Sequence, residues 1–346
     1  MYNVAMFRSV AIAAVFILLA CAGCGSKTPV LTHSARPINT NSVHASKPVE
    51  GAIITEPHSR VAHTAAACRG RIYFFGGISE DGAVPQPKNV ECYEPATERW
   101  TSLSALPTSR NFAAAAELDG AIYLVGGLDD NAVSMGLVEK YDPATDTWTT
   151  LAPLGVPRSR LALAVLNGKI YAVGGLEGAE HVRCADSRAL EVYDPVANTW
   201  TRLPDMPTAR HALAAAGHAG RIYALGGYAT TTTGQSNVVE SFDPKTNEWR
   251  KESPMLSARG FFAAFSLGDD LLAIGNLNAP AAPERLTPLD TGPGSLASWQ
   301  PCAAPDLRRF RFAAVTLNGL VYAFGGEGDT SPNVRIFDAA GDLWIH

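Results

Sequence analysis

The sequence lacks the features that mark nucleic-acid-binding, membrane-spanning and nucleotide-binding proteins. Its formal net charge is −5 and its basic residues form no cluster, which argues against a nucleic-acid partner. The apolar run Ala11–Ala20 would span only about 15 Å as a helix, half the thickness of a bilayer core. The phosphate-binding motif G-x-x-x-x-G-K-[ST], the metal-binding spacings H-x-H and H-E-x-x-H, and the hydrolase motif G-x-S-x-G are absent. We therefore expect neither a metal nor a cofactor.

The first fifty residues have the pattern of an export signal followed by a tether. Arg8 and the apolar run precede the sequence LLACAGCG, which resembles a bacterial lipobox. The lipidated cysteine is expected to be Cys21, with Cys24 as the alternative; an ordinary secretory signal is the other interpretation. Residues 1–20 are thus predicted to be a lipoprotein signal peptide. Residues 21–50, rich in Ser, Thr, Asn, Pro and Lys, are predicted to be a lipidated N-terminus and flexible tether.

After residue 50 one pattern occurs six times. Each copy has an arginine, a small apolar run, a turn, and a second apolar run that ends at a glycine. A segment of the type V-E-x-Y-D-P and a tryptophan follow in most copies. The arginine precedes the glycine by 16 residues every time, and the glycines recur every 48 to 52 residues. The repeat arginines are Arg60, Arg110, Arg158, Arg210, Arg259 and Arg309.

Each copy predicts one four-stranded antiparallel sheet. In the second copy the expected strands are Phe112–Glu117, Ala121–Val125, Leu137–Tyr141 and a fourth that carries Trp148. Asp119-Gly120 supplies the hairpin turn between the first two strands. Such a sheet cannot bury both apolar faces alone, so six copies must stack radially. The sequence therefore predicts an all-β, six-bladed β-propeller over residues 51–346.

The repeats resemble the Kelch repeat in the glycine pair after Ile-Tyr, the V-E-x-Y-D-P segment and the spaced tryptophan. The resemblance covers about residues 50–346. Blade five departs from it with Asn276 in place of the second glycine, and blade six with Arg335 in place of the glutamate. Kelch-like copper radical oxidases need a tyrosine, a cross-linked Cys–Tyr pair and two histidines, and no blade shows these in recognisable motifs.

Residues that recur in every blade are interpreted as structural. The repeat arginines are expected to pair with glutamates of the third strands or with loop carbonyls, and the tryptophans to pack between blades. The glycine pairs are expected to allow close backbone approach. The candidate glutamate partners are Glu91, Glu139, Glu191 and Glu240. The four cysteines of the repeats, which are too scattered for disulfides, are expected to be free and buried.

Two further expectations concern the ends of the chain and the loops. Residues 51–59 match the end of a fourth strand that the C-terminus lacks, so we expect them to meet blade six and help to close the ring. The loops between the second and third strands, and between the fourth strand and the next blade, share one rim. All differences in repeat length are expected there, and loops on a rigid scaffold commonly carry binding residues.

Residues directly after the repeat arginine and the glycine pair are expected to face the mouth of the central channel. The resemblance to Kelch domains implies that a partner is held there. Arg160 and Arg311 suit a carboxylate, because guanidinium groups offer paired donors. The candidate rim residues are Asn111, Arg160, His211, Tyr228, Phe261, Phe310, Arg311 and Glu327.

The sequence favours a non-catalytic module that binds an envelope protein or glycan. We expect it at the outer membrane or cell surface, or facing the periplasm, with membrane contact only through the lipid anchor. The resemblance implies an alternative, a sugar-acid mutarotase similar to N-acetylneuraminate epimerase. In it Arg160 and Arg311 would hold the sugar acid, and Glu327 or His211 would act as acid and base. A structural envelope component is a third interpretation, since one fold serves many functions.

Overall fold

The computed structural model is an all-β, six-bladed propeller with four-stranded antiparallel blades. It describes residues 52–54, 60–79, 88–180, 183–229, 234–276, 281–287, 298–303, 309–328 and 334–345. These residues form no helix, and hence none long and apolar enough to cross a membrane. The predicted signal peptide, Cys21, Cys24 and the predicted tether lie outside the described residues, so their assignment stays a prediction.

The strands follow in chain order. Blade one and its neighbouring short strands are β1 (Ala52–Ile54), β2 (Arg60–Val61), β3 (Thr64–Cys68), β4 (Arg71–Phe75), β5 (Ile78–Ser79), β6 (Val90–Glu94) and β7 (Arg99–Leu103). Blade two is β8 (Ala114–Leu118), β9 (Ala121–Val125), β10 (Val138–Asp142) and β11 (Thr147–Thr150). Blade three is β12 (Ala162–Leu166), β13 (Lys169–Val173), β14 (Leu176–Ala179), β15 (Arg183–Asp186), β16 (Leu190–Asp194) and β17 (Thr199–Leu203).

Blades four to six complete the ring. Blade four is β18 (Ala214–His218), β19 (Arg221–Leu225), β20 (Val239–Asp243) and β21 (Glu248–Lys251). Blade five is β22 (Ala263–Leu267), β23 (Asp270–Ile274), β24 (Glu284–Thr287) and β25 (Ser298–Pro301). Blade six and its short strands are β26 (Arg309–Phe310), β27 (Ala313–Leu317), β28 (Leu320–Phe324), β29 (Glu327–Gly328), β30 (Val334–Asp338) and β31 (Leu343–Trp344).

The first full strand of each blade lines a central channel, and the fourth lies at the outer edge. In blade two the order from channel to edge is β8, β9, β10 and β11. The first strands of successive blades contact one another, and β27 contacts β3, so the ring is closed. The channel has a volume of about 500 Å³. Its walls are the inner strands of the sheets, whose backbone edges have no further strand to pair with.

The predicted strands of blade two are confirmed to within two residues. β8 begins at Ala114 rather than at Phe112, because Phe112 has a φ of +49° and cannot belong to an extended strand. Asp119 and Gly120 have φ values of +52° and +77°, as a tight hairpin turn requires. The offset therefore has a local cause in the backbone directly before the strand.

Three repeat arginines form the predicted ion pairs inside the blades. Arg110, Arg158 and Arg210 bind Glu139, Glu191 and Glu240, and both members of each pair are almost fully buried. Arg158 also donates to the carbonyls of Gly174 and Ala189 at 2.8 and 2.9 Å. Burial lowers the pKa of Arg158 to about 10, which leaves it charged at neutral pH. The side chain of Arg60, the expected partner of Glu91, lies outside the described residues.

Neighbouring blades are locked together near the axis and at the outer edge. Gly127 donates its amide hydrogen to the carbonyl of Arg158, 3.0 Å away in the next blade. A Cβ atom on the adjacent Gly126 would lie 2.3 Å from the same carbonyl oxygen, which confirms the predicted close approach. At the edge, the indole nitrogens of Trp200 and Trp249 donate across to the preceding blade, to the carbonyls of Ala152 and Pro204.

The N-terminal segment does not meet blade six in the residues that the structure describes, so that prediction is wrong. Strand β1 instead pairs antiparallel with β7, with Ile53 opposite Thr101, and becomes a fifth strand at the outer edge of blade one. The exposed backbone edge of β7 offers the unpaired donors and acceptors that attract such an added strand. Blades one and six close the ring by side-chain packing and by a backbone hydrogen bond between Ala62 and Arg311.

Blade five adds an ion pair whose glutamate was not named and corrects one expectation. Arg259 pairs with Glu284 at 2.8 Å, a partner that the altered sequence of this blade concealed. The distance along the chain from Thr287, at the end of β24, to Ser298, at the start of β25, is longer than between the third and fourth strands of the other blades, and these strand ends belong to the face opposite the rim. Length differences are therefore not confined to the rim.

The four described cysteines are all free, as predicted. Cys68, Cys92 and Cys302 are buried, and burial raises the pKa of each thiol. Cys184, which was also expected to be buried, is exposed. It lies on β15, in a hairpin that projects from the blade rather than in one of its four main strands.

Candidate functional site

Six residues form a ring around the rim end of the channel. Each is the second residue after a repeat arginine, and each has a φ between +49° and +55°. We call these residues the axial ring: Ala62, Phe112, Arg160, Ala212, Phe261 and Arg311. Identical residues stand three blades apart, so two alanines, two phenylalanines and two arginines face one another across the axis.

A belt of backbone hydrogen bonds holds the axial ring in place. The amide of Phe112 donates to the carbonyl of Ala62 at 3.0 Å, and that of Arg160 to Phe112 at 2.9 Å. Ala212 and Phe261 continue the belt at 2.9 and 3.0 Å. Ala62 donates to Arg311 at 3.3 Å and joins blade one to blade six. The left-handed backbone at each position turns these groups towards the neighbouring blade.

Two guanidinium groups and two phenyl rings meet at the axis. The guanidinium carbon of Arg160 lies 4.4 Å from the ring centre of Phe112 and 5.9 Å from that of Phe261. For Arg311 the corresponding distances are 5.9 and 5.3 Å. The two phenyl rings contact each other, with centres 5.9 Å apart. We call these four side chains the mouth quartet; each arginine lies near both phenyl rings.

The arginine of blade three has a carboxylate beside it. Arg160 forms an ion pair with Glu180, which follows β14. Burial lowers the pKa of Arg160 to about 10, and the nearby charge of Arg311 adds to this effect. The Nε atom of Arg160 is buried and has no hydrogen-bond partner among the described residues. Because cations favour the faces of aromatic rings, the phenyl rings help to hold two like charges close together.

A histidine–aspartate pair lies next to the mouth quartet. Nδ1 of His211 lies 2.6 Å from Oδ1 of Asp186, whose side chain is only 4% exposed. Since a carboxylate only accepts, Nδ1 carries the proton and Nε2 keeps its lone pair. Burial lowers the pKa of His211, the hydrogen bond and charge of Asp186 oppose this shift, and the charge of Arg160 adds to it.

An aromatic contact continues from this histidine to the quartet. The rings of His211 and Tyr228 are stacked with centres 5.8 Å apart, and Tyr228 lies 5.8 Å from Phe261. The backbones of His211 and Tyr228 pair with each other at 2.9 and 2.8 Å. A Cβ atom on Gly260 would collide with the Tyr228 ring at 2.2 Å, so glycine is required for this packing.

The loop of blade two braces the hairpin of blade three that supplies both acids. Ser134 donates its amide hydrogen to the carbonyl of Gly178 at 2.9 Å, and its hydroxyl donates to Leu176 at 2.9 Å. The amide of Glu180 donates to Ala132 at 3.0 Å. Strands β14 and β15, which carry Glu180 at their turn and Asp186 at their end, are thereby fixed against the neighbouring blade.

A cavity of about 160 Å³ adjoins the axial ring. Its lining includes the mouth quartet together with His63 and Phe312. Within the described ranges no group of three or more His, Cys, Asp or Glu side chains is arranged to hold a metal ion. Polar groups in this region include the two guanidinium groups and the imidazoles of His63 and His211.

The predicted rim residues differ in where the structure places them. Arg160, His211, Tyr228, Phe261 and Arg311 are brought together, with the quartet at the centre. The side chain of Asn111 is buried, and its backbone pairs with Leu128. The backbones of Phe310 and Glu327 pair with each other, but their side chains lie outside the described residues. A binding role stays a prediction for all eight residues.

Sequence reasoning missed three members of the cluster. Phe112 had a signal, because it stands at the same distance from its repeat arginine as Arg160, Phe261 and Arg311 do. Glu180 and Asp186 had none, since they lie in the longest insertion between a second and a third strand. Residues of such an insertion have no equivalent in the other blades, so the spacing of the repeats cannot identify them.

Comparisons with known proteins agree with this fold. The model of the KLHDC2/KLHL20/DRC7 Kelch-repeats domain matches residues 33–175, and the Kelch motif matches residues 157–207 and 209–256. Kelch-like protein 36 of Mus musculus is 31% identical over 155 residues, which are 44% of this chain and 25% of that protein. Beta-scruin of Limulus polyphemus is 38% identical over 72 residues, 21% of this chain and 8% of that protein.

Similarity to solved structures extends over most of the propeller. The structure of YjhT superposes with a TM-score of 0.69 at 17% identity, and covers 84% of this chain and 97% of that one. At this identity the likeness concerns the fold alone. The curated relatives above are matched over a quarter of their length or less. The matched Kelch repeats and the six four-stranded blades make the chain a Kelch-repeat β-propeller.

Proposed function

We propose that the chain is an envelope-anchored, non-catalytic binding module that holds an acidic group of an envelope protein or glycan at the channel mouth. The observation that carries this proposal is the mouth quartet, in which Arg160 and Arg311 approach the same two phenyl rings. Both guanidinium carbons lie within 6 Å of each ring centre, so the two positive charges border one aromatic surface on which an acidic group could lie.

The surroundings of the quartet support recognition rather than mere packing. Phe112, Phe261 and Tyr228 are each only partly buried, so their rings offer apolar contact area beside the charges. Aromatic and arginine side chains are the residues that most often dominate binding interfaces. The bonded backbone belt fixes these side chains in advance, and preorganisation lowers the entropic cost of binding.

Removing the two arginines tests the proposal. The full-length chain and its Arg160→Ala, Arg311→Ala variant are immobilised and exposed separately to the protein and polysaccharide fractions of an envelope extract. We expect a fraction retained by the wild type to be lost by the variant. The matched control is Arg202→Ala, Arg250→Ala, which removes two exposed arginines from the outer strands. Equal retention by both double variants would contradict the proposal.

The anchoring part of the proposal has its own test. We expect metabolic labelling with an alkyne fatty acid to mark the wild-type chain, and the Cys21→Ser substitution to abolish the label. The Cys24→Ser variant should remain labelled. The reverse result would move the lipid to Cys24, and an unlabelled wild type would refute the anchor while leaving the rim proposal intact.

One observation favours the alternative, a sugar-acid mutarotase. His211 and Asp186 form a hydrogen-bonded pair beside Arg160, so a candidate acid–base group adjoins a candidate carboxylate site. Exchange between the anomers of N-acetylneuraminate, followed by NMR, tests this activity. We would then expect acceleration by the wild type and its loss in His211→Gln. Anomer exchange at the uncatalysed rate with the wild type would exclude the mutarotase and leave the binding module.

A further inference from the structure

Four charged side chains that the structure describes lie at or beside the mouth quartet. Arg160 and Arg311 contribute two positive charges, and Glu180 and Asp186 two negative ones. Three of the described groups face His211: Asp186 on β15, Arg160 in the loop before β12 and Tyr228 in the loop after β19. Protonation of His211 would add one positive charge beside the mouth quartet.

We propose that capture of an acidic ligand at the mouth is coupled to proton uptake by His211, so that binding tightens as the surroundings become mildly acidic. This inference rests on the proposed function and adds the regulation of the same site. The geometry supports it, because Asp186 is placed to stabilise an imidazolium at Nδ1 while the ring stacks on Tyr228.

The direction of the coupling follows from the signs of the charges. Burial and Arg160 lower the pKa of His211, so the free protein holds this residue neutral at pH 7. A bound anion near Arg160 offsets that repulsion and raises the pKa of His211 in the complex. Affinity then rises as the pH falls through the interval between the two pKa values and is level outside it. Each unit between them corresponds to about a tenfold gain in affinity.

The first experiment measures the proton directly and needs no natural ligand. The imidazole resonances of His211 are followed by NMR against pH, in sodium chloride and in sodium sulfate of equal ionic strength. We expect a higher apparent pKa in sulfate for the full-length wild type, and equal values in the Arg160→Ala, Arg311→Ala variant. Equal values in both salts for the wild type would overturn the coupling.

The second experiment measures affinity with a fluorescent tetraglutamate peptide between pH 8.0 and 5.5. We expect about a threefold to tenfold gain for the wild type and none for His211→Gln. Asp186→Asn, which removes the partner of the imidazolium, should move the gain to lower pH. His218→Gln is the matched control. His218 is a buried histidine at the far end of β18, where it is hydrogen-bonded to Ser266, so its substitution should leave the profile unchanged.

The outcomes separate this inference from the proposed function. Binding that needs the two arginines but is the same at every pH would refute the coupling and keep the binding module. An identical pH profile in His211→Gln would also refute it, because the proton would then be taken up elsewhere. If the peptide binds at no pH, the proposed function fails for acidic peptides, and the sulfate titration alone decides the coupling.

Discussion

At the residue scale the propeller depends on buried ion pairs, in which each charge is neutralised only by the other member of its pair. Arg210 and Glu240 are both fully buried and lie 2.8 Å apart, and Arg210 also donates to the carbonyl of Gly226 at 2.7 Å. A buried charge that loses its partner keeps its desolvation penalty and loses its compensation. The pair therefore matters more as a unit than either residue does alone.

Replacing Glu240 by leucine should destabilise the protein by about 3–5 kcal/mol, because it leaves Arg210 charged and unpaired in the interior. Urea unfolding followed by tryptophan fluorescence gives the free energy of unfolding. The double variant Arg210→Met, Glu240→Leu removes both charges and should recover a large part of the loss. A double variant as unstable as the sum of the two single ones would contradict this explanation.

Two glycines with nearly the same backbone conformation separate steric from conformational requirements. Gly126 and Gly168 have φ values of +66° and +69°, but only at Gly126 would a Cβ atom meet another group. We expect Gly168→Ala to cost about 1 kcal/mol, the penalty for a left-handed alanine. Gly126→Ala should cost clearly more, since the Cβ atom would lie 2.3 Å from the carbonyl oxygen of Arg158. Equal losses in thermal unfolding would show that blades approach less closely at Gly126.

At the element scale the sequence predicted the strands that recur in every blade and missed the elements that occur in a single blade. Apolar runs, Asp-Gly turns and the fixed arginine-to-glycine distance located the inner strands to within two residues. The length differences of blade five were placed wrongly for a specific reason. Its connection before Glu284 is shorter and its connection after Thr287 is longer than in other blades. The two differences offset each other, so the spacing between Gly275 and Trp299 is similar to that of the other blades. The hairpin of β14 and β15 left no pattern, so neither Glu180 nor Asp186 was found.

The site was partly predictable for the same reason. Positions in register with a repeat arginine identified Arg160, Phe261 and Arg311. Their mutual contacts depend on side chains that converge from blades on opposite sides of the axis, and sequence spacing carries no information about that convergence. The same limit explains the wrong prediction for the N-terminal strand. Its match to the end of a fourth strand did not show which sheet edge it would pair with.

Removing β1 tests the corrected role of the N-terminal strand. Because β1 adds only three residues to the outer edge of blade one, deletion of residues 52–54 should lower the melting temperature by only about 2–4 °C, the effect of roughly 1 kcal/mol in a domain of this size. Replacing Ala52–Ile54 by Thr-Val-Thr, which keeps a strand-forming segment, should leave it unchanged. A much larger fall in the melting temperature on deletion would indicate that β1 helps to close the ring.

At the scale of the whole molecule the junction of blades one and six differs from the other five, because no chain connection crosses it. Aromatic rings fill it instead: Phe74 contacts Phe324 edge-on at 4.6 Å and Trp100 at 5.1 Å. Tyr93 and Tyr322 belong to the same buried cluster. At the positions equivalent to Phe74, blades two to six carry smaller residues, namely Leu124, Ala172, Ala224, Ala273 and Ala323.

The junction should therefore be where the ring opens first. Phe74→Ala and Phe242→Ala each remove a buried phenyl ring, the second from the cluster between blades three and four, and each should cost about 3–5 kcal/mol. Native-state hydrogen exchange should distinguish them. We expect Phe74→Ala to speed exchange in both β4 and β28 while blades three and four stay protected, because the two ends of the ring separate as a local opening. Phe242→Ala should leave β4 and β28 protected, since covalent connections hold blades three and four together. Faster exchange in blade one alone would mean that the variant loosens its own sheet and that the ring stays closed.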